Sequence, residues 1–250
     1  MPLTIDLTGR VVLVTGGARG VGRGISEAFR QAGATVETCG RSEAPADLPP
    51  GLGYFQADVR EPEDVRRLVD HVASTHQRLD VLVNNAGGGP GTETLSASPR
   101  LHAKIVDLNL LAPLLVAQTA YPLLAADGSG SVVNISSVSA SRVAPGTAVY
   151  GAAKAGLEHL TATLAVEWAP AVRVNAVAPG LIATDVADSF YGDADRSAEF
   201  AATVPLGRLG LPVEIGYTCV FLASPLAAYV SGAVLSVNGG KERPSYLSVS

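Results

Sequence analysis

The sequence predicts an α/β fold in which one parallel sheet of seven strands carries helices on both faces. The first observation is that short apolar, β-branched runs alternate with longer segments of helical character along the whole chain. The second is the length of 250 residues, which suits one domain with a substantial core. The third is that no internal repeat or low-complexity segment interrupts this alternation.

The element boundaries follow from local patterns. Strands are expected at 11–15, 35–39, 53–57, 79–84, 131–136, 172–177 and 233–237, and helices at 21–32, 62–76, 99–125, 148–169 and 212–223. Pro62 and Pro99 each stand at a first helical position, where a missing N–H group costs nothing. Gly33 follows the first helix and is expected to end it.

The connection after Arg41 departs from this alternation. Three prolines, at positions 45, 49 and 50, fall between the second and third strands and leave no room for a helix. We therefore expect a loop there, with one short turn, instead of a crossover helix.

A glycine-rich turn follows the first strand. The buried run Val11–Val14 leads directly into the segment TGGARGVG at 15–22, which opens the first helix. In this setting backbone N–H groups can bind a pyrophosphate, and glycine permits the close approach of the phosphates. An ordinary strand-to-helix loop is the alternative, but the position after a buried strand favours a dinucleotide-binding turn.

Tyr150, Lys154 and Ser137 form a candidate acid–base centre. Tyr150 and Lys154 are four residues apart, so they share one face of a helix, and Ser137 lies thirteen residues before the tyrosine. A free tyrosine has a pKa of about 10, and a neighbouring cation is expected to lower it. A serine hydroxyl can hold a substrate oxygen while the tyrosine exchanges its proton. Taken alone, the pair could also be a solvated lysine beside a surface tyrosine.

Further short motifs occur in a fixed order. They are TGGARGVG at 15–22, Asp58-Val59, NNAG at 84–87, Asn109, ISS at 135–137, YGAAK at 150–154, and Pro179-Gly180 leading to Thr184. In this order and spacing the chain resembles the short-chain dehydrogenase/reductase family from about residue 7 to 240. The resemblance implies a single Rossmann domain over 1–250 and hydride transfer between a nicotinamide coenzyme and a carbonyl or alcohol.

The resemblance also implies roles for particular residues. The expected catalytic residues are Asn109, Ser137, Tyr150 and Lys154. The residues expected at the coenzyme are Gly16, Arg19, Gly20, Val21, Gly22, Arg41, Asp58, Val59, Asn85, Ala86, Gly87, Tyr150, Lys154, Pro179, Gly180, Ile182 and Thr184. Among these, Asp58 would contact the adenine, or alternatively cap a helix, and Lys154 would bind the nicotinamide ribose. The Ile182 backbone and the Thr184 side chain would bind the carboxamide.

Pro113 follows Asn109 by four residues, and proline has no N–H group to donate to the Asn109 carbonyl. In the family this carbonyl holds a water linked to the catalytic lysine. We therefore expect Pro113 to keep the acceptor free for a proton relay, although a simple helix kink is the alternative.

The end of the second strand indicates which coenzyme is preferred. NAD-specific relatives carry an acidic residue there, whereas this chain has Gly40 followed by Arg41. Arg41 and Arg19 are suited to a 2′-phosphate, and Glu37 falls too early to bind a ribose. NADP(H) is therefore favoured over NAD(H).

The substrate is less determined. Residues 185–204 are expected to form a lid over the pocket, and their acidic residues outnumber the basic ones. We expect a ketone or secondary alcohol, with a 3-oxoacyl thioester carried by acyl carrier protein as the alternative. A non-catalytic nucleotide sensor is a second alternative, disfavoured because all four expected catalytic residues are present.

Composition indicates which partners and which cell compartment to expect. Apolar residues make up 47% of the chain and charged residues 16%, which favours an oligomer, and the resemblance implies a homotetramer, or else a homodimer. A net charge of −5 argues against a nucleic-acid partner. The uncharged stretch at 108–126 is interrupted by prolines and amides, so no membrane span is expected. Two cysteines indicate a reducing cytoplasm, and the four histidines lack metal-ligand spacing.

Overall fold

The computed structural model describes residues 4–184 and 194–240. The strands are β1 Val11–Thr15, β2 Thr35–Gly40, β3 Gly53–Gln56, β4 Val81–Asn84, β5 Gly130–Ile135, β6 Val172–Pro179 and β7 Val234–Val237. The helices are α1 Gly20–Gln31, α2 Pro62–His76, α3 Pro99–Val106, α4 Ala112–Leu124, α5 Ala148–Glu167, α6 Ala194–Thr203 and α7 Pro212–Ala223. A π-helical segment at Asp107–Leu111 joins α3 to α4, and 3₁₀ turns occupy Val138–Ala140 and Pro225–Ala227.

All seven strands form one parallel sheet in the order β3-β2-β1-β4-β5-β6-β7. The chain order reverses between β1 and β4, so the connections leave these two strands in opposite directions. In open α/β sheets this switch point creates a crevice at the carboxyl ends of the strands, where ligands bind.

The sheet has an apolar layer on each face because successive side chains of a strand point to opposite sides. On β1, Val11 and Leu13 pack into the layer covered by α2, α4 and α5. Val12 and Val14 pack into the opposite layer, covered by α1 and α7. The two layers together confirm the predicted fold class.

Helices α1 and α7 pack unusually closely through two glycines. A Cβ at Gly24 would lie 2.4 Å from Pro212, and a Cβ at Gly216 would lie 2.6 Å from the Cβ of Ala28. A larger residue at either position would therefore push the two helices apart. This packing also fixes the position of α1, which begins within the glycine-rich turn.

The predicted helix at 99–125 is present but contains the π segment. By length and composition alone, the 26 residues of Pro99–Leu124 could cross a membrane. In the structure Val116, Ala120 and Leu124 of this helix pack into the apolar layer under α4.

The helix-free connection between β2 and β3 is confirmed. It contains two hydrogen-bonded turns instead of the one expected, from Leu48 N to Pro45 O and from Leu52 N to Pro49 O. Helix α6 was not predicted, and it forms the second half of the expected lid. The lid residues 185–193 and the tail 241–250 lie outside the described residues.

Candidate active site

The expected catalytic residues meet at the carboxyl edge of the sheet. Ser137 follows β5, while Tyr150 and Lys154 lie on the first two turns of α5. The glycine-rich turn follows β1 and the NNAG segment begins at the end of β4, so both border the same edge.

Ser137 has an extended backbone, with φ −164° and ψ 153°, and precedes the 3₁₀ turn at Val138–Ala140. Its Oγ accepts a hydrogen bond from Ser139 N at 3.1 Å, which fixes the side chain. Burial raises the pKa of Tyr150, and a hydrogen bond with Ser137 opposes this rise. The serine and the tyrosine are therefore direct partners.

Lys154 is almost completely buried, with 3% of its surface exposed. Its Nζ donates a hydrogen bond to the carbonyl of Ile135 at 2.8 Å and lies 5.8 Å from the centre of the Tyr150 ring. Burial lowers the pKa of Lys154 to about 8.

The pKa of Tyr150 is raised in this structure, whereas the sequence led us to expect a lowered value. Removal of the phenol from water disfavours the phenolate, so burial raises the pKa of Tyr150 above its ordinary value. The phenol is therefore protonated at neutral pH, which is the form that a proton donor requires.

Asn109 lies in the middle of the π segment and is completely buried. Its Nδ2 donates to Gly88 O and Ile105 O, each at 2.9 Å, and its Oδ1 accepts from Gly88 N at 2.9 Å. The side chain thus clamps the chain just after the NNAG segment. The proposed relay through its main-chain carbonyl stays a prediction.

Gly87 allows Asn109 and Lys154 to approach each other. A Cβ at this position would lie 2.9 Å from Asn109 Oδ1 and 3.2 Å from Lys154 Nζ. The structure therefore brings the asparagine, the lysine and the end of the NNAG segment to one point.

A buried polar chain beneath the site was not predicted. Thr161 Oγ1 accepts from Asn134 Nδ2 at 2.9 Å, and Asn134 Oδ1 accepts from Asn84 Nδ2 at 2.9 Å. Asn84 also donates to the carbonyl of Pro113 at 3.1 Å. This series of hydrogen bonds connects α5 to the second residue after the π segment, and its contacts depend on the sheet register, which the sequence pattern does not reveal.

The glycine-rich turn fits a dinucleotide. Gly16 and Gly20 have positive φ angles of 64° and 51°, and a Cβ at Gly22 would lie 2.2 Å from Gly16 O. At the start of α1, Arg19 provides no side-chain cap and the first turn contains no acidic residue. The N–H groups and the positive end of the helix dipole are therefore available to a pyrophosphate.

The NNAG segment supports this turn from the neighbouring strand. Thr15 Oγ1 accepts from both Asn85 N and Ala86 N at 3.0 Å. Asn85 Nδ2 donates to the carbonyls of Thr15 and Gly16. In this structure the Asn85 side chain therefore holds the glycine-rich turn in place.

Asp58 binds Arg60, a residue that was not predicted. The Asp58 carboxylate accepts from Arg60 Nε at 3.0 Å and from Arg60 Nη2 at 2.5 Å, and this hydrogen bonding lowers the pKa of Asp58. The alternative role of Asp58 as a helix cap is wrong, because Glu61 occupies the N-cap of α2. The side chain of Val59 packs in the core, so only its backbone could face a coenzyme.

Two of the residues expected at the adenosine end of the coenzyme are arginines. Arg19 and Arg41 are both exposed. The positive charge of Arg41 contributes, after Arg60, to the lowered pKa of Asp58. Glu37 is buried and contacts His76 at 2.8 Å, so it is directed away from a ribose at the end of β2.

The expected nicotinamide segment follows β6. Gly180 N donates to Val237 O at 2.9 Å, and Ala183 N donates to Gly210 O at 2.9 Å. The Ile182 side chain is buried in the core, which leaves its backbone for the predicted contact, and Thr184 is half-buried at the end of the described segment.

Fold and site together define a dinucleotide-binding protein with a serine–tyrosine–lysine centre. A sequence model of the family described as Enoyl-(Acyl carrier protein) reductase matches residues 16–242. The chain is 35% identical over 247 residues to a tropinone reductase homologue of Arabidopsis thaliana, covering 94% of this chain and 93% of the relative. It is 35% identical over 247 residues to the 3-oxoacyl-[acyl-carrier-protein] reductase FabG of Chlamydia pneumoniae, covering 95% and 99%.

The fold is similar to that of the Pseudomonas aeruginosa RhlG/NADP active-site complex, with a TM-score of 0.89 and 32% identity over 96% of this chain and 99% of that one. The chain belongs to the short-chain dehydrogenase/reductase family. It is therefore an oxidoreductase of the NAD(P)-dependent type that acts on small molecules.

Proposed function

We propose that this protein is an NADP(H)-dependent oxidoreductase that interconverts a ketone and a secondary alcohol. The observation that carries the proposal is the meeting of Ser137, Tyr150 and the buried Lys154 at the sheet edge that also carries the glycine-rich turn. The end of β5 and the start of α5 thus bring together a hydroxyl, a phenol and an ammonium, the groups that carbonyl reduction needs.

Each side chain has a distinct part in the reaction. When bound, the coenzyme supplies or accepts a hydride. Tyr150 is protonated at neutral pH, and burial raises its pKa further; it gives its proton to the forming alkoxide during reduction. Ser137 is hydrogen-bonded to Tyr150 and holds the substrate oxygen beside it.

Lys154 stabilises the negative charge that remains on Tyr150 after the proton has moved. At pH 7 its ammonium is still charged, because its lowered pKa of about 8 lies above that pH. Asn109 positions the chain around Gly88, and we propose that its carbonyl supports a water that leads to Lys154.

The preference for NADP(H) over NAD(H) rests on charge at the adenosine end. Gly40 provides no carboxylate at the position that would bind a 2′-hydroxyl, and Arg19 and Arg41 are exposed nearby. Guanidinium groups bind phosphate oxygens through paired hydrogen bonds. The similarity to a structure solved with NADP is consistent with this preference.

A small or cyclic ketone is the substrate class that we favour. The relatives include a tropinone reductase homologue as well as a 3-oxoacyl-[acyl-carrier-protein] reductase, so a 3-oxoacyl thioester is the second candidate. The acidic excess of residues 185–204 disfavours docking of an anionic carrier protein over the pocket.

The test is oxidation of NADPH, with NADH run in parallel, against a panel of cyclic ketones and 3-oxoacyl thioesters. Turnover of a cyclic ketone with NADPH supports the proposal. Turnover of thioesters alone selects the second candidate. Tight NADPH binding without turnover of any ketone or thioester favours the alternative of a nucleotide sensor.

We also propose a homotetramer, or else a homodimer, in the cytoplasm. β7 is an open edge of the sheet, and Val234, Leu235 and Tyr229 near it are exposed. Leu111 and Val166 are exposed beside α4 and on α5 and would supply a second contact. The two cysteines, Cys39 and Cys219, are free and buried. Light scattering on the purified protein tests the assembly, and a monomeric mass overturns it.

A further inference from the structure

Tyr54 of β3 occupies the space beside Gly40 at the end of β2. The two strands pair with Thr38 opposite Tyr54 and Gly40 opposite Gln56. A Cβ at position 40 would lie 2.6 Å from the Tyr54 hydroxyl oxygen, but 3.5 Å from the nearest ring carbon. Gly40 is not among the residues with a positive φ angle. Any Cβ at position 40 would therefore force the Tyr54 hydroxyl to move, whereas the backbone angles do not by themselves demand glycine.

The Tyr54 hydroxyl also holds the turn that follows β2. It donates a hydrogen bond to Ser42 O at 2.6 Å, and Gln56 Nε2 donates to Arg41 O at 2.9 Å. Two consecutive carbonyl groups after Gly40 are thus attached to side chains of β3. The connection from 41 to 52 contains no helix, so β3 provides the support that a crossover helix would otherwise supply.

The charges around Tyr54 fit a phosphate. Burial is the largest cause of the raised pKa of the Tyr54 phenol, and the positive charge of Arg19 opposes the rise, which indicates that the guanidinium lies nearby. Arg41 directly follows Gly40. The Tyr54 hydroxyl therefore lies near Arg19 and bonds to the turn that begins with Arg41, and these are the two cations that we propose to bind the 2′-phosphate.

We propose that Tyr54 is a positioning residue for coenzyme specificity. Its hydroxyl holds the Ser42 carbonyl, and with it the Arg41 turn, in the arrangement that binds a 2′-phosphate. The same hydroxyl excludes from position 40 the acidic side chain that would select NAD(H). This inference rests on the proposed preference for NADP(H).

Tyr54→Phe tests the role of the hydroxyl while keeping the ring. Binding is measured by fluorescence titration with NADPH and NADH, and by displacement of NADPH with adenosine 2′,5′-bisphosphate. Loss of one hydrogen bond is expected to weaken the binding of NADPH and of the bisphosphate about three- to tenfold. The affinity for NADH should stay within about twofold of wild type. Tyr121→Phe is the matched control, because Tyr121 packs on Trp168 away from the crevice and should leave all three affinities unchanged.

Gly40→Ala, alone and combined with Tyr54→Phe, tests the steric part. The alanine methyl should lower the Tm in the wild-type background, where it meets the hydroxyl at 2.6 Å. With Tyr54→Phe the nearest ring carbon is 3.5 Å away, so the same substitution should have little effect. If Tyr54 had a purely structural role, Tyr54→Phe would weaken the binding of both coenzymes equally.

The outcomes separate the two proposals. Equal binding of NADPH and NADH by the wild-type protein overturns the preference for NADP(H) itself. A wild-type preference that persists unchanged in Tyr54→Phe overturns only the role of Tyr54. The same conclusion follows if Gly40→Ala lowers the Tm equally in both backgrounds.

Discussion

Lys154 donates a hydrogen bond from Nζ to the main-chain carbonyl of Ile135 at 2.8 Å. Ile135 is the last residue of β5 and lies two residues before Ser137. The bond therefore ties the lysine of α5 to the strand that carries the serine. It also keeps the ammonium inside the protein, where burial lowers the pKa of Lys154 to about 8.

Replacing Lys154 should stabilise the protein and abolish its activity. Burying an ammonium costs free energy, and a pKa lowered from 10.5 to about 8 corresponds to a cost of about 3 kcal/mol. We expect Lys154→Met to raise the free energy of unfolding at pH 7 by about 1–3 kcal/mol. Denaturant unfolding measures it, with the exposed Lys104→Met as control. Lower stability than wild type would contradict the prediction.

The stability difference should depend on pH. Below pH 8 the lysine is protonated in both the native and the unfolded state, so the full cost is present. Between pH 8 and 10.5 the native state loses the proton first, so the stability of the wild type rises with pH relative to Lys154→Met. The free energies of unfolding of the wild type and of Lys154→Met should therefore converge from pH 7 to 10. A constant difference would show that the buried charge of Lys154 is not its cause.

Ketone reduction should weaken in mild alkali. The charge on Lys154 supports the phenolate formed at Tyr150, and it is lost as the pH rises through about 8. We expect kcat/KM for NADPH, which reports the free enzyme, to be level near neutrality and to fall above about pH 8. A profile that stays level to about pH 10, the pKa of a free tyrosine, would contradict this role.

Tyr150→Phe should abolish turnover without removing the coenzyme site. The substitution deletes the proton donor but keeps the ring that packs near Lys154. We expect NADPH affinity to stay within about a few fold of wild type, since one hydrogen-bonding group is lost. Fluorescence titration and steady-state assays measure the two quantities. Retained turnover would show that another group is the acid.

The buried polar chain under the site should contribute to stability through Thr161. Thr161 is completely buried, accepts from Asn134 and donates to Leu157 O. Thr161→Val leaves the amide of Asn134 without its acceptor, so we expect a loss of about 1–3 kcal/mol. Thermal unfolding measures the loss.

Thr163→Val is the matched control for this prediction. Thr163 makes the same type of bond, to His159 O, on the exposed side of the same helix. Its replacement should change stability by less than about 0.5 kcal/mol. Equal losses of stability at the two positions would show that burial of these hydrogen bonds is unimportant.

Local patterns were sufficient for most of the fold. All seven strands and all five expected helices are present, because strand and helix periodicity and proline positions act over a few residues. The helix-free connection after Arg41 follows from prolines in the same way. α6 was missed because its segment was assigned as a variable lid on resemblance alone.

The site was predicted only in part. A spacing of four residues determines that Tyr150 and Lys154 share a helix face, and this needs no tertiary information. Residues from other segments bury these two side chains. This burial raises the pKa of Tyr150, which the sequence led us to expect to be lowered. Arg60 was missed as the partner of Asp58 because no motif marks it.

The sequence by itself determined the order of strands and helices, the glycine-rich turn and the identity of the acid–base residues, since each depends on neighbours along the chain. Only the tertiary structure decided that Tyr54 meets Gly40, that Asn134 meets Thr161, and that Lys154 is buried. These contacts join residues from separate elements. Their energies depend on strand register and on exclusion of water, which arise only when the elements pack together.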